Sequence, residues 1–207
     1  GNAAGANITF SSKLDGTTAG AEPLTLNAGT AGNILFTGAV GGITRLGAIN
    51  ITNANNVTES AGITAASLVQ AAGQGTTLFS APVNANTVTG VQIDTNNIIT
   101  GSGGTITTTV GSNGVVTFNY RNALAIGAAI DADGDVTVNG SGLTTLSADI
   151  VTTSDLVQFY QPVLLVGNRL IDTLKAPAIG AGGSIRFLRT VDGGGNSLTL
   201  SAPGATG

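Results

Sequence analysis

The chain has 207 residues, of which 32 are Gly, 42% are hydrophobic, 9% are charged and 4% are aromatic, with a net charge of −4. This apolar content excludes a disordered chain, five prolines without a three-residue glycine period exclude collagen, and no run approaches the roughly 20 apolar residues of a transmembrane helix. The lack of Cys and His removes disulfides, thiolate and imidazole metal sites and His-based dyads, while seven scattered basic residues argue against nucleic acid as a partner.

The first predicted strand is Ile8-Thr9-Phe10, an apolar–polar–apolar triplet with the period of a strand that buries one face. The motif returns as Ile34-Leu35-Phe36, Thr77-Leu78-Phe79, Val116-Thr117-Phe118, Val157-Gln158-Phe159 and Ile185-Arg186-Phe187. All the phenylalanines therefore share one motif, and Phe10, Phe36, Phe79, Phe118, Phe159 and Phe187 are expected to form a single core ladder. Second triplets follow at Leu24-Thr25-Leu26, Ile49-Asn50-Ile51, Val91-Gln92-Ile93 and Leu198-Thr199-Leu200. Turn-type residues come next, as at Asn53 to Asn56, Asp94 to Asn97 and Asp131 to Gly134.

The Phe-to-Phe spacings are 26, 43, 39, 41 and 28 residues, near one or two units of about 20. The longer gaps hold units carrying Val57, Ile63 and Leu68, then Ile98, Ile106 and Val110, then Val136, Val138, Leu143 and Leu146. The expected architecture is all-β: a parallel β-helix, or β-solenoid, of about nine coils with about 20 residues per coil. Residues 1–207 read as one solenoid domain, in which 184–207 restart the series of 7–32. An antiparallel sandwich would give no reason for that spacing or for that restart.

The text Asn7-Ile-Thr-Phe, with Leu24-Thr-Leu-Asn-Ala-Gly-Thr-Ala-Gly-Asn-Ile-Leu-Phe-Thr-Gly-Ala-Val-Gly-Gly42, resembles filamentous-haemagglutinin-type repeats, as do Ile49 to Val57 and Gly75 to Val83. Such repeats occur in large two-partner-secreted or autotransporter-like bacterial surface proteins. The resemblance implies a right-handed parallel β-helix, secretion to the cell surface, and a role as adhesin, stalk or filament, with no catalytic residues and no cofactor. Neither terminal stretch reads as a polar cap. The expected partners are therefore adjoining repeats of the same chain or copies of itself stacked end to end, with host or matrix glycans as further partners.

Asp131, Asp133 and Asp135 form the one cluster of carboxylates and are the candidate calcium ligands. The twelfth position of an EF-hand counted from Asp131 is Gly142, so a turn whose carboxylates cap backbone N–H groups is the expected role. A carbohydrate-active β-helix is the alternative function, with Asp155 and Asp133 as an acid–base pair across adjacent coils. Ice binding by a flat Thr ladder is weighed against the mixed outward set Thr25, Asn50, Gln92 and Thr199, which favours an ordinary solvated face. The stretch from Asp155 to Lys175 breaks the pattern with Tyr160 and Val163-Leu-Leu-Val166, and reads as a bulkier coil or a local apolar contact surface.

Overall fold

The computed structural model describes residues 4–109, 111, 113–175 and 182–202. The expectations placed on Val110 and on the terminal stretches 1–3 and 203–207 fall outside those residues. The described chain is all-β, without a helix, and winds as a parallel β-solenoid. Each coil visits three sides in turn, and every strand pairs in parallel with the strand one coil away.

Side 1 is built by β1 (Ile8–Phe10), β3 (Ile34–Phe36), β5 (Val57–Glu59), β7 (Thr76–Phe79), the later halves of β9 (Val91–Thr100) and β11 (Val116–Ile126), β14 (Leu143–Leu146), β17 (Val163–Leu165) and β20 (Val191–Asp192). Side 2 starts with the bridges Leu14 to Val40 and Val40 to Ile63. It continues through the start of β6 (Ile63–Gln70), then β8 (Val83–Ala85), β10 (Ile106–Thr108), β12 (Ile130–Ala132), β15 (Ile150–Thr152), β18 (Arg169–Asp172) and β21 (Leu198–Ser201). Side 3 holds β2 (Leu24–Asn27), β4 (Leu46–Asn53), the end of β6, the first halves of β9 and β11, β13 (Val136–Gly140), β16 (Val157–Phe159) and β19 (Ile185–Phe187).

The repeat is longer than expected: about seven turns of about 23 residues, in place of nine coils of 20. On sides 1 and 2 seven rungs have a neighbour on either side, and on side 3 six do, with an end rung before and after each series among the described residues. Coil length runs from 19 residues between Thr144 and Val163 to 29 between Arg169 and Leu198. The sides stay in register because length is absorbed at the corners, where loops differ, while the inward positions of each strand keep their alternation.

That alternation fills one core. Val57, Ile63 and Leu68 are all buried and give one coil its three inward faces. The six phenylalanines share this core but not one ladder, which corrects the expectation of a single core position. Phe10, Phe36 and Phe79 belong to side 1, where the rungs run Phe10, Phe36, Glu59, Phe79. Phe118, Phe159 and Phe187 belong to side 3, where they run Phe118, Val138, Phe159, Phe187. Rings stack where two phenylalanines are adjacent rungs: Phe10 on Phe36 and Phe159 on Phe187, each with centroids 5.1 Å apart.

The corners differ in kind. Asp94 to Asn97, expected as a turn, lie inside β9, which stays extended as it passes from side 3 to side 1. β11 makes the same passage with a register shift between Tyr120 and Ala123. Ahead of side 1, Asn7, Asn33 and Asn56 stack as a ladder: the side-chain amides of Asn33 and Asn56 donate to the Oδ1 below at 3.2 and 2.8 Å, and Asn56 Oδ1 accepts from Thr76 N–H at 2.8 Å. At Gly41, φ is +66° and a Cβ would fall 1.9 Å from Thr64 O, so only glycine fits that approach.

Candidate functional site

The chain leaves β12 at Ala132, bends at Asp133 and Gly134, and enters β13 at Val136. This places the three carboxylates on different neighbours instead of around one point. Asp131 faces outward from side 2 and pairs with the Lys175 ammonium two coils on. Asp133 is 5% exposed; its Oδ2 accepts from Asn113 N–H at 2.8 Å and its Oδ1 from the Thr153 hydroxyl at 2.9 Å. Its own N–H donates to Thr108 Oγ1 at 2.6 Å. Asp135 Oδ1 accepts from Leu156 N–H at 2.9 Å. Each carboxylate thus ties its coil to the coils before or after it, and among the described residues no group of three or more acids gathers to hold a metal ion.

Asp155 approaches this turn from the next coil. The Thr153 hydroxyl lies 2.9 Å from Asp133 Oδ1 and 3.4 Å from Asp155 Oδ2, so the structure brings together the two acids paired in the sequence reading. Burial, with the negative charges of Asp135 and Asp133 beside it, pushes the Asp155 carboxyl above its ordinary value. The corner is also where two non-glycine residues, Asn113 and Ser154, take positive φ values of 50° and 76°. Both oxygens of Asp133 already accept hydrogen bonds and the residue is buried, so Asp133 presents little open surface to a substrate, while Asp155 is partly exposed.

The stretch from Asp155 to Lys175 keeps the alternation through its apolar run. Val163 and Leu165 point into the core, leaving Tyr160 and Val166 as its large exposed apolar side chains, 42% and 48% exposed. Leu165 is therefore a core residue and not part of a contact surface.

A polar group in the core was not anticipated. Glu59 replaces phenylalanine between Phe36 and Phe79 on side 1 and is fully buried. Its Oε2 accepts from the N–H groups of Ser80 and Ala81 at 3.1 and 3.0 Å, while Oε1 has no partner. Across the core Gln70 takes an inward position of side 3 and accepts from the Thr77 hydroxyl at 2.7 Å, with its Nε2 unpartnered. The space among these residues, closed by Ile51, Leu68 and Ile93, does not admit a water molecule. Burial pushes the Glu59 carboxyl up to about 7, against the two backbone hydrogen bonds that lower it. The signal in the sequence was parity: Val57 is inward, so Glu59, two residues on, must be inward as well.

Outside, a shallow groove of about 350 Å³ follows the asparagine ladder and is lined by Asn7, Thr9, Asn33, Leu35, Asn56 and Thr58. The outward rungs of side 3, Thr25, Asn50, Val69, Gln92 and Thr117, make no continuous threonine row. Comparison of the chain with protein-family models, with curated proteins and with solved structures returned no match.

Proposed function

We propose that the chain is a structural module, a β-solenoid segment of a bacterial extracellular adhesin, stalk or self-assembling filament, and that it carries out no catalysis. The observation behind this reading is the parallel ladder, unbroken from β1 to β21 over one core. The acids and asparagines named above engage mainly in bonds from coil to coil. Resemblance to filamentous-haemagglutinin-type repeats supports the surface location and the right-handed winding. Adjoining repeats or further copies of the chain are the main partners, and host or matrix glycans along the asparagine groove are secondary ones. Electron microscopy of the assembly combined with limited proteolysis tests this: narrow rods that survive protease at concentrations that digest globular controls are expected, and compact, readily cleaved particles would refute it.

A second reading, a carbohydrate-active solenoid enzyme, draws on the approach of Asp133 and Asp155 across Thr153. Release of reducing sugars from acidic polysaccharides, abolished in Asp155→Asn, would establish it in place of the first.

A further inference from the structure

The two ends of the solenoid are written in nearly the same text but on different sides. Ile8-Thr-Phe10, Leu14-Asp-Gly16 and Leu24-Thr-Leu26 occupy sides 1, 2 and 3. Their echoes Ile185-Arg-Phe187, Val191-Asp-Gly193 and Leu198-Thr-Leu200 occupy sides 3, 1 and 2. The echo is shifted by one side of the triangle.

Both end coils have free edges among the described residues. β1 and β2 pair only with β3 and β4, and β19, β20 and β21 pair only with β16, β17 and β18. The side chains of these coils are unfinished core. Ile8, Phe10, Leu14, Leu24, Ile185, Phe187 and Leu198 are the partly buried residues packed against the core, and Val191 and Leu200 are 38% and 50% exposed. An open edge with apolar inward positions is a template for another parallel strand of like pattern.

After β21 on side 2, the side due next is side 3, directly over β19. We infer that a second copy of this chain docks there head to tail, turned by one side, with its β1 on β19, its Leu14 segment on β20 and its β2 on β21. This inference rests on the structural reading and specifies the contact by which it extends. Like then meets like at each inward position: Ile8 and Phe10 over Ile185 and Phe187, Leu14 over Val191, Leu24 and Leu26 over Leu198 and Leu200. The stacks Phe159–Phe187 and Phe10–Phe36 join into four successive rings, repeating the spacing already present within the chain. A like-charge meeting, Asp15 over Asp192, falls where solvent reaches both residues and salt screens them. Each copy advances by roughly 40 Å along the axis at ~4.8 Å per coil.

The chain has no cysteine, so paired cysteines report the contact directly. Thr9 and Arg186 are outward residues that the rotated stack sets side by side, at a strand spacing a disulfide can bridge. In an unrotated stack Thr9 would instead sit over Asp192. Thr9→Cys with Arg186→Cys, oxidised at high concentration, is expected to give a ladder of linked oligomers, at least tenfold more than Thr9→Cys with Asp192→Cys; Thr9→Cys alone stops at dimers. A ladder only from the Asp192 pair overturns the rotation. No ladder from either pair, with sedimentation of the unsubstituted chain showing monomers only, overturns the docking. A protease-resistant rod that stays monomeric would still leave the structural role standing.

Discussion

Glu59 is the residue where the ladder departs from its own rule, and its consequences are thermodynamic. In the unfolded chain it ionises near its ordinary value of 4.5, and in the fold only near 7. Below 4.5 both states hold the proton. Between the two values the unfolded state alone releases it, so stability falls as pH rises through that window and levels off above 7; the full change is about 3 kcal/mol at most. Thermal unfolding across pH 4 to 8 should show this decline, and Glu59→Gln should flatten it. Asp133 matters instead as an acceptor that ties coils together. Asp133→Ala leaves the Asn113 N–H and the Thr153 hydroxyl without their partner and is expected to cost about 1–3 kcal/mol in urea unfolding. Calorimetric titration of the unsubstituted chain with millimolar calcium should stay flat, because its three aspartates are engaged with different coils.

Among the strands, cost should follow position along the rod. Phe118 is fully buried in the middle of side 3, whereas Phe187 faces the open end. Phe118→Ala should destabilise by about 3–5 kcal/mol and Phe187→Ala by distinctly less, read from chemical denaturation of monomeric protein. Inward and outward positions were legible in the sequence because alternation is local: Ile8, Phe10, Leu24 and Leu26 all point as their period dictates. The side on which a triplet lies was not legible, since Ile-x-Phe serves side 1 at β1 and side 3 at β19 equally well. The 39 residues from Phe79 to Phe118 looked like two units of 20, but they cover one turn and two of three sides. The bend at Asp133 and Gly134 could be read from its residues, whereas Asp131, read as part of the same turn, lies in β12. The meeting of Asp133 with Asp155 depends on a corner whose length only the folded coil sets.

For the whole molecule, each coil touches only its neighbours, so protection should grade along the axis. Hydrogen exchange is expected to be slowest in β9 and β11, which round a corner without breaking, and fastest in β1, β20 and β21 at the open edges. The unequal coils have a further consequence under load. Peeling one coil from an end releases its whole contour, at most ~3.3–3.6 Å for every residue freed. With coils of 19 to 29 residues, a single chain stretched in a force spectrometer should lengthen in steps of roughly 60 to 100 Å. The longest steps belong to the end coils and the shortest to the interior, so the first to give way would take up the most slack.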